Sequence, residues 1–355
     1  MAQRRVSRAV VLGGLTVGAG APVVIQSMTN TDTRDQQETL KQIKALADAG
    51  CELVRVAVPN AEAAEALGGI CSLSPLPVVA DIHFDHRLAL AAVGNGVNGL
   101  RLNPGNIGAK WKIQEVVRAA AERRIPIRVG VNGGSLEKDI LAKKGPTAEA
   151  LVESAMSHVH LLEEEGFQDI KISLKSSHVP VMLEAYRQIA GLTDYPLHLG
   201  VTEAGTLRSC LVKSSIGIGA LLSEGIGDTI RVSLTGDPAE EIPIAQSILQ
   251  TLGLGVFRPE LIACPTCGRT GFSLIELAEK IEEYLRLLPP LKHKLTVAVM
   301  GCVVNGPGEA READVGVAGS GDVGILFKKG QVVAKVPVER LYDVLVEEIQ
   351  LAAGS

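Results

Sequence analysis

Aromatic side chains are scarce in this chain: Phe, Trp and Tyr together make up 3% of its 355 residues. Its core must therefore be built from Val, Ile, Leu and Ala. Positive charge is not in excess either. The formal net charge is −5, which argues against a general nucleic-acid binder while leaving room for a local basic pocket. No apolar run approaches the length of a membrane span. The 38 glycines follow no triplet repeat, so they mark tight connections rather than a fibre. Cysteine is also sparse. Six in a chain of this length do not suggest a secreted disulfide scaffold. Arg4-Arg5 followed by apolar residues from Ala9 to Ile25 imitates a secretory or twin-arginine leader, but Gly13, Gly14, Gly18, Gly20 and Pro22 interrupt that run. The segment reads as two short strands around a Gly13-Gly14 turn, and the chain is expected in the cytoplasm.

From residue 21 onward, short apolar runs alternate with amphipathic stretches. The strand windows are Pro22–Met28, Glu52–Val58, Pro77–His83, Gly99–Asn103, Pro126–Asn132, Asp169–Leu174, Pro196–Val201 and Asp228–Leu234. Between them lie helical patterns such as Gln36–Ala49, Ala148–Glu165 and Leu207–Leu222. Strands alternating with helices imply a parallel sheet, and nearly all-apolar strands imply burial on both faces. Eight such units match a (β/α)8 barrel, with a doubly wound open sheet as the competing architecture.

Polar residues recur at alternate positions near the strand ends, so each set shares one face. Asp81 and His83 do so on the third strand, Arg128 and Asn132 on the fifth, and Lys171, Ser173 and Lys175 around the sixth. Arg231 and Ser233 do so on the eighth, while Arg55 and Arg101 interrupt apolar second and fourth strands. In a barrel these basic side chains would converge near the carboxyl-terminal mouth. Such a cluster suits a phosphate or diphosphate.

The pattern changes after Gly253, and the expected division is 1–253 for the barrel and 254–355 for a smaller α/β domain. This second part reads as a Cys-bearing turn at Ile262–Arg269, a helix at Ser273–Leu288 and a strand at Leu295–Met300. Further strands follow at Val315–Gly319 and Val323–Val336 around a Lys329-Gly330 turn, then a closing helix at Pro337–Ala352. Cys264 and Cys267 form a C-x2-C knuckle, and Cys302 follows after 34 intervening residues. Three cysteines brought together suggest an iron–sulfur cluster or zinc, with a redox dithiol as a third reading. Glu309 is a candidate fourth ligand, and His293 is the nearest histidine. Cys51, Cys71 and Cys210 read as ordinary buried thiols.

Several long strings resemble bacterial 4-hydroxy-3-methylbut-2-enyl diphosphate synthases. They include Gln26-Ser27-Met28-Thr29-Asn30-Thr31, Val79-Ala80-Asp81-Ile82-His83-Phe84, Leu102-Asn103-Pro104-Gly105-Asn106-Ile107-Gly108 and Leu197-His198-Leu199-Gly200-Val201-Thr202-Glu203-Ala204-Gly205. Leu222 to Thr229, Ala263 to Cys267 and Gly301 to Glu309 extend the likeness in the same order, with a local departure at Ser176-Ser177-His178. The resemblance implies an enzyme that reductively opens 2-C-methyl-D-erythritol 2,4-cyclodiphosphate with loss of water. It implies a [4Fe-4S] cluster on Cys264, Cys267, Cys302 and Glu309, a flavodoxin or ferredoxin donor, and a head-to-tail homodimer. By the same resemblance Glu203 is the proton donor, with Asp81 and His83 positioning substrate or relaying protons. Arg55, Arg101, Arg128, Lys175 and Arg231 would hold the diphosphate, with Asn132 and Ser233 adding hydrogen bonds. The alternative reading is a zinc-stabilised barrel enzyme acting on a phosphorylated metabolite, such as an aldolase or a phosphosugar isomerase.

Overall fold

The computed structural model describes residues 2–288, 291, 293–302, 308 and 310–354. The chain divides into two compact units, Met1–Gly255 and Val256–Ser355.

The first unit opens with an antiparallel hairpin of β1 (Val10–Leu12) and β2 (Leu15–Val17). Gly13 and Gly14 turn it with φ of 56° and 89°. Two consecutive left-handed residues are what a type I′ turn requires, and glycine adopts them without a Cβ clash. Val10, Leu12 and Val17 pack on Val24, Leu53 and Val79. Those three lie at or near the starts of their strands, so the hairpin closes the amino-terminal end of the sheet.

That sheet has eight strands among the described residues: β3 (Val24–Met28), β4 (Leu53–Ala57), β5 (Val78–Asp81), β6 (Gly99–Leu102), β7 (Ile127–Asn132), β8 (Ile170–Lys175), β9 (His198–Leu199) and β10 (Thr229–Ile230). They pair in parallel in the order β8-β7-β6-β5-β4-β3-β10-β9. A parallel bridge between Ile172 and Leu197 joins the two ends, and the Ile172 N–H donates to the Pro196 carbonyl at 2.9 Å. The sheet is therefore a closed barrel, and the open doubly wound alternative is excluded.

Closure is uneven. β7 and β8 share six register pairs, whereas the seam between β8 and β9 rests on the single bridge. Tyr186, on helix Val179–Leu192, reinforces this seam: its phenol oxygen accepts from the Leu174 N–H at 3.0 Å and its hydroxyl donates to the His198 carbonyl. Two backbone groups that lack a ladder partner are thus satisfied by one buried side chain. The last two ladders are shorter than the windows Pro196–Val201 and Asp228–Leu234 suggest, so Arg231 and Ser233 lie just beyond the eighth strand rather than on it. The barrel helices sit at the expected places, with short further ones at Pro104–Ile107 and Lys138–Lys144 and a longer one at Ala61–Leu73, where Ala and Gly leave little contrast between faces. Its amino terminus is set by Asn60, whose side chain accepts from the Ala63 N–H.

The second unit is a five-stranded sheet in the order β11 (Glu260–Ala263), β12 (Thr296–Met300), β13 (Val315–Ser320), β14 (Val323–Lys328) and β15 (Gln331–Pro337). β11, β12 and β13 are parallel, and the remaining pairs are antiparallel. β11 is an addition to the sequence reading, which saw only a turn there. Helices Leu274–Leu287 and Leu341–Ala353 bury Leu277, Ile281, Leu285, Leu345 and Ile349 against Val297, Val299 and Val317. No described helix is long and apolar enough to cross a membrane.

Candidate active site

Register decides which side chains meet inside the barrel. Asp81 is the cross-strand neighbour of Arg101, Arg101 of Arg128, and Arg128 of Lys171. Neighbours in a parallel ladder share a face, so these four form a row across β5 to β8. All four are buried, Arg128 and Lys171 to 3% and 2% exposure. Arg55 joins through Asp81: the carboxylate lies 3.1 Å from Arg101 Nη1 and 3.5 Å from Arg55 Nε. Arg101 also donates to the Gly130 carbonyl at 3.0 Å, and Arg55 reaches Met28 Sδ. Asn132 and Lys175 end the same two strands as a register pair.

Arg231 completes the set from the other side. Its guanidinium is 3.3 Å from Glu241, which is buried and also accepts from Ser27 Oγ at 2.8 Å and the Leu234 N–H at 3.1 Å. Gly200 makes this crowding possible. A Cβ there would lie 2.6 Å from the Arg231 carbonyl oxygen and 3.0 Å from Lys175 Nζ. Glu241 opens helix Glu241–Thr251, where the sequence makes it look like an ordinary first-turn acid. Its burial against Arg231 was legible only in the fold.

The electrostatics follow from this arrangement. Arg55, Arg101, Arg128, Lys171, Lys175 and Arg231 are basic, and among the described residues Asp81 and Glu241 are the carboxylates that pair with them. Burial and the surrounding guanidinium groups push Arg128 and Lys175 well below their usual values, and the same causes bring Arg55 down to about 10. Arginine at that value is still charged at neutral pH. Burial would raise Asp81, but Arg55, His83, Arg101 and Arg128 outweigh it and hold the carboxyl well below the usual carboxylate range. Arg128 Nε and Nη1, Arg101 Nε and Lys171 Nζ are buried without a hydrogen-bond partner. Buried donors in this state have a strong affinity for an anion, because any acceptor removes a large desolvation cost.

The proposed acid–base residues stand at the mouth. His83 is exposed, with Nε2 3.7 Å from Asp81 Oδ2. Glu203, beyond β9, is also exposed and has a φ of 53°. A left-handed glutamate is backbone strain of the kind that collects at functional positions. With Asn132, Ser176, His178 and Thr202 it lines a cleft of about 640 Å³. These residues follow the carboxyl ends of β7, β8 and β9, where barrel enzymes build their sites. Ser233 is half-buried beyond β10.

In the second unit, Cys264 follows β11 and donates its N–H to the Val299 carbonyl of β12 at 3.0 Å. Cys302 lies just past the end of β12, and the two strands are neighbours. Thr266 takes a left-handed φ of 66°, and Thr270 ties the turn by bonding both the N–H and the carbonyl of Cys267. A Cβ on Gly301 would sit 2.8 Å from Thr270 Oγ1 and 3.5 Å from Cys264 Sγ, so only a bare backbone lets the Cys302 turn lie against the knuckle. Cys264 and Cys302 are half-buried, Cys267 is exposed, and none is in a disulfide. Three thiols from adjacent turns are a soft donor set suited to iron–sulfur chemistry. Glu309 lies outside the described residues. Among the described residues, no three His, Cys, Asp or Glu side chains are grouped as ligands of one metal ion. His293 bonds the Ala352 carbonyl at 3.1 Å. Cys51 and Cys210 are buried as expected and Cys71 is half-buried; burial pushes the Cys51 and Cys71 thiols up to about 11, which leaves them protonated.

Two family models account for nearly all of the chain. The GcpE TIM-barrel domain matches residues 7–246, and the GcpE protein C-terminal domain matches residues 260–351. A 4-hydroxy-3-methylbut-2-en-1-yl diphosphate synthase (flavodoxin) from Geobacter sulfurreducens is 57% identical over 345 residues, covering 97% of each chain. Proteins of the same name from Clostridium acetobutylicum and Bacillus mycoides are 57% and 52% identical, covering 98% and 100% of this chain and 99% and 96% of theirs. Among solved structures, Yersinia pestis dihydropteroate synthase superposes with a TM-score of 0.50 at 12% identity, covering 69% of this chain and 98% of its own. Geobacillus kaustophilus 3-dehydroquinate dehydratase does so with a TM-score of 0.50 at 15% identity, covering 70% and 98%. At such identities the likeness shows the barrel fold alone.

Proposed function

The chain belongs to the GcpE family, and from that premise we propose that it reductively opens 2-C-methyl-D-erythritol 2,4-cyclodiphosphate to 4-hydroxy-3-methylbut-2-enyl diphosphate. The reaction takes two electrons, loses water and supplies isoprenoid precursors. The observation in this molecule that carries the reading is the uncompensated positive charge inside the barrel, with buried donors on Arg101, Arg128 and Lys171 that lack acceptors.

Arg55, Arg101, Arg128, Lys175 and Arg231 bind the cyclic diphosphate, and they stabilise the charge released when the ring opens. Asn132 and Ser233 add hydrogen bonds. Asp81 fixes the forks of Arg55 and Arg101, and Glu241 does the same for Arg231, so the donors are oriented before substrate arrives. Glu203 supplies the proton to the departing hydroxyl, from a cleft that opens at the strand ends. His83, beside Asp81, serves as a relay between that site and water.

Cys264, Cys267 and Cys302 fit a [4Fe-4S] cluster by donor chemistry and by the close approach of their two turns at Gly301, with Glu309 proposed as the fourth ligand. A cluster held there would supply one-electron transfer from a flavodoxin or ferredoxin, and flavodoxin is the donor in the relatives' names. The active species is a cytoplasmic head-to-tail homodimer, in which one chain's cluster serves its partner's barrel, with residues 1–253 as the substrate-binding domain and 254–355 as the cluster domain.

The deciding experiment is iron, sulfide and zinc content of protein purified without oxygen, followed by turnover with reduced flavodoxin. About four irons and four sulfides per chain, with product formed, is the expected result. One zinc and no sulfide would overturn the redox reaction and leave a zinc-stabilised barrel enzyme. Glu203→Gln should lower kcat by roughly 10²–10³. Mixed with Cys264→Ser it should regain activity, and an inactive mixture would count against action in trans.

A further inference from the structure

Lys171 is costly to bury where it stands. It is 2% exposed, its ammonium nitrogen has no hydrogen-bond partner, and its register neighbour is Arg128. The groups facing it are Arg128 from β7, Arg55 from β4, His198 from β9 and Asp228 ahead of β10. Three of these are basic. Asp228 is the one acid, and its oxygens are already engaged: Oδ1 accepts from Ser7 Oγ at 2.8 Å, Oδ2 from the Leu197 N–H at 2.9 Å, and Arg4 stands 3.6 Å away. His198 cannot help, since burial and the same cations keep its imidazole neutral, with Nδ1 on Thr229 Oγ1 at 2.7 Å. Burial first, then Arg128 and Arg55, bring the Lys171 ammonium down to about 7.

We propose that Lys171 is a further positioning residue of the diphosphate site, a buried amine that takes up a proton when the anion docks on the arginine row and so adds one charge to it. The idea rests on the diphosphate reading above. An anion beside Arg128 offsets part of the positive field at the amine, and each opposing charge favours the ammonium form. The free protein therefore holds a neutral amine above pH 7, and the liganded protein an ammonium. The cyclodiphosphate itself has no proton to gain near neutrality, because each phosphorus carries a single strongly acidic oxygen. The proton must come from the medium and go to the protein.

The test is calorimetric binding of 2-C-methyl-D-erythritol 2,4-cyclodiphosphate to the oxidised holoenzyme, without a reductant, in buffers of different ionisation enthalpy. At pH 8 the wild type should take up about 0.5–1 proton more than Lys171→Met, and the difference should fade toward pH 6, where the free lysine is already charged. Lys171→Met should bind roughly 3–10-fold more weakly, for loss of one buried cation. Lys171→Arg, always charged, should recover affinity without recovering the uptake. Equal uptake by wild type and Lys171→Met, or binding by the wild type with no uptake, would overturn the role of Lys171. No binding by the wild type would overturn the diphosphate reading instead. Should Lys171→Met fail to fold, the wild type and Lys171→Arg still decide the matter.

Discussion

The barrel interior and the cysteine turns both place chemistry on parallel strands or just beyond them, but they are organised in opposite ways. In the barrel, the functional groups are buried, crowded and mutually repulsive, held by a closed sheet whose other interactions tolerate them. In the second unit the thiols sit half-buried or exposed on turns, and the sheet beneath them is an ordinary apolar core. The first site stores unfavourable electrostatics that a bound anion would relieve. The second stores little, and the proposed cluster would complete it. Substitutions should therefore separate function from stability in the barrel and leave stability nearly untouched at the thiols.

The largest expected effect is at the thiols. Cys302→Ser should cost at least about 10³ in turnover by loss of cluster iron. Cyclodiphosphate affinity should stay within about threefold of wild type and the thermal unfolding of the barrel should not move. A large loss of affinity would break the separation between the two regions. Next comes Arg128→Met, expected to lower kcat/KM by roughly 10²–10³ with iron content unchanged. Because it removes a buried charge without a partner, it should leave the unliganded fold as stable as before or stabilise it by up to about 3 kcal/mol. Marked destabilisation in a denaturant titration would show that the arginine is structural.

Asp81→Asn should act in the opposite sense and destabilise by about 3–5 kcal/mol, since Arg55 and Arg101 then lose their carboxylate. The folded pKa of Asp81 is depressed, so its stabilisation is present above the unfolded value near 4 and is lost as pH falls below it. The variant should accordingly show a flatter acid limb in stability against pH. Smallest is Tyr186→Phe, which leaves the Leu174 N–H and the His198 carbonyl unsatisfied at the barrel seam and should cost about 1–3 kcal/mol. A neutral result would mean that the single Ile172–Leu197 bridge suffices to close the barrel.

Much of this was readable beforehand. Alternation of apolar strands with amphipathic helices implied a parallel sheet, and the windows for β3 to β8 enclose or nearly enclose the observed strands. Arg55 and Arg101 stood out because a charge inside an apolar run is costly unless it has a use. Glu241 was harder to see, and Lys171 was read as one of the basic set without a role of its own. An acid at a helix start and a lysine in a polar-alternating strand are commonplace in sequence, and only burial makes them unusual. β11 was missed because Glu260–Ala263 is four residues long and merges into the knuckle. The seam carried no signal at all, since a tyrosine in the middle of a helix pattern reads as core.

What the sequence determined alone is local: the period of its hydrophobic residues, the glycine turn of the first hairpin, and the C-x2-C spacing of two thiols. Each depends on neighbours within a few residues, where backbone geometry is nearly rigid. The tertiary structure decided closure and register, and with them the electrostatics. Only when β5 to β8 align do Asp81, Arg101, Arg128 and Lys171 become neighbours, and only inside a closed sheet do their charges lose the water that would otherwise screen them.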